Sequence, residues 1–357
     1  MSRFARERRV LFIEEPMFES VARAALRVDR RRDGVDVIVP VLPEGLSARE
    51  AILAQESLIS DYLDARSERP TFWFQTPMAF SFAPLDRAGA VIYDCMDELS
   101  GFKDAPPALA FNEKQLLGRA DLVFTGGRAL YEAKRQKHPS VHCFPSGIDT
   151  KHFGRARDHR RNALRSMHRP ATDRPRVGFA GVIDERMDVE LLAAVASALP
   201  GMDFDIVGPV VKIDPDLLPV GDNIRYLGMQ DYAVLPELMA EWDVAMMPFA
   251  CNEATRFISP TKTPEYLAAG LPVVSTSIRD VVVRYGEPGL VSIADDASPF
   301  SRALEAAIET RDDPARLRAV DVALKDSSWD GIWQRMAALE RQVLKTAAIS
   351  KPAAEAR

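Results

Sequence analysis

Apolar and polar positions along this chain follow two patterns that alternate almost throughout. Short continuous apolar runs are followed by longer stretches with apolar residues every three or four positions. In the first half the short runs are "VLFIEE" (10–15), "VDVIVPVL" (35–42), "TFWFQT" (71–76), "AVIYDCMD" (90–97), "LVFTGG" (122–127) and "VHCFPS" (141–146). Runs of this length, bounded by turn residues, predict buried parallel strands. Intervening stretches such as "AREAILAQESLISDYLDARS" and "NEKQLLGRA" predict amphipathic helices. From residue 155 the sequence turns basic and loses its period, which predicts a linker with at most a short helix. A second series then begins: "RVGFAGV", the helix "DVELLAAVASAL", "FDIVGPV", "NIRYLG", "DVAMMPF", "LPVVST" and "GLVSIA".

Such alternation on both sides of a linker predicts an α/β protein of two doubly wound, Rossmann-like domains. The expected division is 1–153, a linker over 154–175, a second domain over 176–326, a helix over 327–347 that crosses back to the first domain, and a disordered tail over 348–357. Two open parallel sheets facing one another leave a cleft at the carboxyl ends of their strands, where such folds bind ligands.

Composition narrows the class. At 357 residues the chain fits two domains, and 47% apolar with 27% charged residues suits a globular protein. A formal net charge of −6 argues against nucleic acid as a partner. Cys95, Cys143 and Cys251 are too scattered for a disulfide framework or a zinc site, so a cytoplasmic setting is expected. His138 and His142 are four apart, but Pro139 breaks any helix that would align them on a metal.

Candidate chemistry concentrates in "FISPTKTPEYLAAGLPVVST" (257–276). Ser259 and Pro260 read as the N-cap and first residue of a helix that Gly270 ends. Lys262 then places a cation at the already positive end of that helix, an arrangement that a bound phosphate makes sense of. The competing reading is a solvated lysine and a glutamate, Glu265, that merely favours the first turn.

The stretch "SPTKTPEYLAAGLPVVST" resembles the nucleotide-binding motif of retaining GT-B glycosyltransferases of the group 1 type. Other segments are similar to that family in the family's order: "VFTGGRALYEAKRQKHPSVHCFPSGIDTKHF", "VGFAGVIDERMDVELL", "YLGMQDYAVLPELMAEWDVAMMPF" and "SSWD". The resemblance implies a nucleotide diphosphate resting on Ser259, Pro260, Thr261 and Lys262, and a ribose held by Glu265. It implies that Arg186 joins Lys262 in stabilising the departing diphosphate, with no metal required. It further implies a UDP- or GDP-sugar donor and a hydroxyl acceptor, in surface-polysaccharide or lipid-linked glycan assembly. The pattern departs from the family at Phe257, where the commonest version has a glutamate that contacts the donor sugar. Asn252, Glu253 and Thr255 are the alternative sugar contacts.

In the first half, Asp94, Asp97 and Glu98 follow a predicted strand and are expected at the cleft as acceptor contacts. Asp97 is the candidate general base, with helix capping as its bland alternative. Arg186 stands among Asp184, Glu185 and Asp188 and has surface pairing as its own alternative. The start "SRFARERR" reads as the back half of a first helix, so the central first strand of such a domain is expected to be missing, leaving ladder groups open on two neighbours. Its arginines are also candidates for contact with an anionic membrane surface. Two rival functions follow: a GT-B-shaped binding protein without catalysis, and a sugar-nucleotide epimerase on the same fold.

Overall fold

The computed structural model describes residues 1–65, 69–102, 105–165 and 174–350. The tail expected from residue 348 lies, beyond Ser350, outside the described residues, as does the 166–173 part of the expected linker.

The N-terminal unit holds two sheets where a single one was expected. In the first, β1 (Val10–Ile13) and β2 (Met17–Glu19) pair in parallel with the buried strand β4 (Val35–Pro43), and β3 (Ala25–Arg30) pairs with it antiparallel. Helix α1 (Ala48–Asp64) follows, opened by a capping box between Ser47 and Glu50. The second sheet is wholly parallel, in the order β5 (Thr71–Phe74), β6 (Ala90–Cys95), β7 (Leu122–Thr125) and β8 (Val141–Cys143). Between its strands run α2 (Ala108–Arg119) and α3 (Arg128–Lys134). The expected strands at 10–15 and 71–76 are thus end strands of separate sheets.

The start of the chain forms a single 3-10 turn, Phe4–Arg6, rather than the expected end of a longer helix. Phe4 is buried against Trp73 and Trp333, with ring centroids 5.3 and 6.1 Å away. The arginines first read as a membrane-facing patch are drawn into ion pairs: Arg3 and Arg6 with Asp330, Arg8 with Glu340, and Arg9 with Asp36.

The basic stretch read as a linker is largely helix α4 (Thr150–Arg165), which packs on the second unit. Its arginines cap other helices there. Arg157 donates to the carbonyls of Leu267 and Ala268 at 3.2 and 2.9 Å, and Arg160 to those of Met239 and Trp242 at 3.2 and 2.9 Å. Terminal helix carbonyls lack intrahelical donors, and guanidinium groups supply them. The loss of apolar period in this stretch therefore reflects arginines used against another element, not an absence of structure.

The C-terminal unit is one parallel six-stranded sheet: β9 (Arg176–Ala180), β10 (Asp203–Val207), β11 (Ile224–Gly228), β12 (Val244–Met247), β13 (Val273–Ser275) and β14 (Ser292–Ile293). The spatial order is β11-β10-β9-β12-β13-β14, that of a Rossmann domain, and it reverses between β9 and β12. Helices α5 (Val189–Ala198), α6 (Leu235–Glu241), α7 (Lys262–Ala268), the single turn α8 (Arg279–Val281), α9 (Ala297–Glu309) and α10 (Pro314–Leu324) complete it. Phe179, Phe204, Trp242, Met247 and Tyr266 are among the fully buried side chains of its core.

The last helix, α11 (Trp329–Ser350), returns to the first unit. Ile332, Met336, Leu339 and Val343 pack on Ile92, Leu122, Phe124 and Phe144. The two chain crossings between units run side by side. The Ile148 amide donates to the Ser327 carbonyl at 2.8 Å, Ile148 bridges Ser328, and Trp329 lies against Gly147.

Candidate active site

The candidate residues gather where β9 and β12 diverge. Helix α7 begins at Lys262 with Thr261 in the N-cap position, so Ser259 is not the cap. Neither Thr261 nor its predecessors seal the first turn with a side chain, which leaves amides there without intrahelical acceptors. The stop is as the sequence suggests. Gly270 adopts φ +82°, its amide reaches the Leu267 carbonyl, and that of Leu271 reaches Tyr266, which together make a Schellman turn.

One buried hydroxyl aligns this helix with the sheet. Tyr266 Oη accepts from the Ala180 amide at 2.7 Å and donates to the Ala180 carbonyl at 3.2 Å, at the carboxyl end of β9. The Lys262 side chain consequently runs over Gly181, and its Nζ lies 5.7 and 5.8 Å from the ring centroids of Phe179 and Phe249. Burial, with help from nearby Arg186, holds the Lys262 ammonium below its ordinary pKa, while Glu265 and Asp184 oppose that. Glu265, one turn along, is pushed up to about 7 by burial, against the pull of Lys262.

Arg186 lies in the loop after β9 and makes a two-pronged bond to Asp184, Nε to Oδ1 at 2.9 Å and Nη2 to Oδ2 at 2.5 Å. Burial works against the charge on Asp184, but the bonds from Arg186 outweigh it and hold the carboxyl below its usual range. This pairing was the alternative reading of Arg186, yet it does not remove the residue from the cleft. The guanidinium is only partly covered and remains within electrostatic reach of Lys262 and of Asp97 on the other unit.

Asp97 follows β6 in a half-buried bend. Burial raises its carboxyl and Arg186 partly offsets this. It caps no helix: the N-cap position of the 3-10 turn that follows belongs to Glu98, whose side chain makes no capping bond. Asp94 is buried, accepts from Trp73 Nε1 at 3.0 Å, has no partner for Oδ1, and is pushed up to about 6 by burial.

Three of the expected contacts, Glu98, Thr255 and Asn252, are engaged within the protein instead. Glu98 turns inward and pairs with Lys134 at 2.7 Å, because that buried ammonium needs carboxylates. Thr255 is 2% exposed and its hydroxyl closes the 250–255 turn, donating to the Ala250 carbonyl and accepting from the Asn252 amide. Asn252 Oδ1 caps the Ala254 and Thr255 amides in the same turn, so these two residues shape the loop. Glu253 stays exposed beside Arg256. Phe257, which stands where a sugar-binding glutamate was looked for, packs on the core of the first unit.

Sequence reasoning missed Lys134 and Asp280. Asp280 carried a usable signal, since like Asp97 it is a carboxylate shortly after a buried strand.

Two Rossmann-like units facing a cleft are the GT-B architecture; here the loops after β6 and β9 and the start of α7 bring Asp97, Arg186, Lys262 and Glu265 to it. Residues 174–310, in the C-terminal unit, match the family model described as "Glycosyl transferases group 1". The whole chain superposes on sucrose-phosphate synthase from Thermosynechococcus elongatus with a TM-score of 0.71 at 16% identity, covering 97% of this chain and 91% of that one. Anabaena Alr3699/HepE, solved with UDP and glucose, gives a TM-score of 0.66 at 14% identity and coverages of 93% and 99%. TuaH of Bacillus subtilis (strain 168), whose name assigns it to teichuronic acid biosynthesis as a glycosyltransferase, is 25% identical over 239 residues. That match covers 60% of this chain and 57% of TuaH.

Proposed function

We propose that the protein is a retaining glycosyltransferase that moves a sugar from a nucleoside diphosphate donor to a hydroxyl acceptor. The observation that carries this reading is the convergence of Lys262, Arg186 and Glu265 opposite Asp97. Lys262 and the open amides of the first turn of α7 hold the diphosphate, and Glu265 accepts from the ribose hydroxyls. As the bond from the anomeric carbon to the diphosphate oxygen breaks, Lys262 and Arg186 stabilise the charge that the leaving group gains. The acceptor oxygen bonds to the same carbon on the face that the diphosphate leaves, which retains the configuration, and its proton passes to Asp97, whose raised pKa suits it to receive one. With two cations at the leaving group, the reaction proceeds without a divalent metal.

A UDP-sugar is the donor of choice, supported by the UDP complex of HepE, and a surface-polysaccharide or lipid-linked glycan is the acceptor class, supported by the name of TuaH. No described helix is long and apolar enough to cross a membrane. The test is a metal-free thermal-shift panel with UDP, GDP, ADP and their sugar conjugates. A ligand at about 100 times its Kd adds roughly 2.7 kcal/mol to the unit that binds it. A shift with UDP and UDP-sugars is expected, and no shift with any nucleotide would overturn the reading.

A further inference from the structure

Helix α3 is charge-locked at both ends, by different parts of the molecule. At its start, the amides of Arg128 and Ala129 donate to Asp280 at 2.8 and 2.9 Å, and Asp280 belongs to α8 of the C-terminal unit. The contact requires Gly127, because a methyl group there would overlap the Asp280 carboxylate and press on Ser259 Cβ at 2.8 Å. Arg279 adds an ion pair to Glu132 one turn further along α3. At the other end Lys134 is fully buried and bonds Glu98 at 2.7 Å and Glu113 at 2.6 Å, and Tyr93 Oη donates to Glu113 at 2.9 Å. Burial works against the Lys134 charge, and Cys95, Glu113 and Glu98 outweigh it.

Glu98 is the neighbour of Asp97, and the Asp97 carbonyl accepts from Cys95 Sγ at 3.4 Å. The bend carrying Asp97 is therefore held from below on two sides. Seven residues of helix span about 10 Å. A rod this short, pinned at both ends by buried charges, moves as one piece.

We infer that Lys134 is a positioning residue: by drawing Glu98 into the domain it leaves Asp97 as the carboxylate facing Arg186, and through α3 this placement is coupled to the docking of Asp280. The bend is then set correctly only while the nucleotide-binding unit is seated. Coupling of this kind is reciprocal, so a disturbance at either end must register at the other. Its consequence for transfer rests on the function proposed above; the coupling itself does not.

The experiment is amide hydrogen exchange on the full chain, comparing wild type with Asp280→Asn and Glu98→Gln. Both changes are isosteric, and Glu132→Gln, which removes only the exposed pair with Arg279, serves as a milder lesion at the first end. Asp280→Asn is expected to speed exchange about fivefold or more over 96–102 as well as over 127–132, and Glu98→Gln to do the same in the opposite direction. Exchange over α9 is the control and stays unchanged. Changes confined to the mutated end in both variants would overturn the coupling whether or not the protein transfers sugar. A second readout separates positioning from mere support: Glu98→Gln is expected to lower kcat at least tenfold with the donor KM and UDP affinity unchanged. An unchanged kcat would remove Lys134 and Glu98 from the placement of Asp97, and a fall in UDP affinity would show a general loss of structure instead.

Discussion

The Lys262 side chain lies across Gly181, so close that a methyl group on residue 181 would overlap the lysine Cε. The cation's place is thus set by a residue that makes no bond to it. Gly181→Ala should displace the ammonium while leaving its charge in the protein. If Lys262 binds the diphosphate, the loss of a charged hydrogen bond costs about 1.5–3 kcal/mol, roughly 10- to 100-fold in UDP affinity. Calorimetric titration should then give similar losses for Gly181→Ala and Lys262→Ala. Wild-type affinity in both would place the diphosphate elsewhere.

If Glu265 holds the ribose, nucleotide binding should depend on pH. The folded Glu265 pKa of about 7 lies above the ordinary 4.5, because burial disfavours the ionised form. An ionised carboxylate accepts from two ribose hydroxyls better than a protonated one, so affinity for a UDP-sugar should rise between pH 6 and 8. Glu265→Gln should flatten that profile. Without ligand the sign for stability is opposite: the neutral form's contribution is present below about 4.5 and lost as pH rises through about 7. Denaturant titrations should therefore find Glu265→Gln more stable than wild type at pH 8 and level with it near pH 4.

Asp97→Asn should separate binding from transfer. It keeps the shape of the bend and removes the proton acceptor, so turnover should fall by roughly 10²- to 10⁴-fold. UDP affinity should not change, because Asp97 is on the other unit. Steady-state rates alongside calorimetry decide this, and undiminished turnover would take Asp97 out of the chemistry.

Chelation tests the pairing of Lys262 and Arg186 in place of a divalent ion. Turnover in excess EDTA should match turnover in magnesium. Arg186→Ala should then lose activity that magnesium does not restore, whereas dependence on the ion in wild type would reassign the leaving-group role.

Arg157 should matter for stability alone. It reaches two carbonyls at the end of α7 and pairs with Asp321 at 2.8 Å. Arg157→Met keeps much of the packing and leaves the Ala268 carbonyl short of its donor, while Leu267 keeps the Gly270 amide, at a cost of about 1–3 kcal/mol. For a unit of this size that lowers Tm by a few degrees, which differential scanning calorimetry resolves.

The legibility of this chain followed the range over which each feature is determined. Strands β9, β12 and β13 are nearly continuous apolar runs between turn residues, and they fall where the pattern puts them; β10 and β11 do too, although Asp205 and Arg225 interrupt them. Strands β2 and β3 are short and largely exposed, and the alternation in "ALRVDR" is confined to Leu26 and Val28; their pairing with β4 is what makes them strands. Lys262 and Glu265 could be read because both belong to one turn of one helix. Asp280 reaches the amides of Arg128 and Ala129 across 152 and 151 residues of chain, and no local pattern records such a partnership. Ser259 misled for a related reason: a serine before a proline looks like a cap, but the helix begins three residues later, at a position set by Tyr266 against β9.

The side-by-side crossings at Ile148 and Ser328 have a mechanical consequence. Two connections fastened to each other act as one hinge, like the spine of a book, and they leave the units a rotation but little freedom to slide. Opening the cleft then separates Asp97 from Arg186 along a fixed arc, and closing it returns them to the same register each time. Repeatable alignment of these two residues is thus built into where the chain crosses, at a distance from the residues themselves.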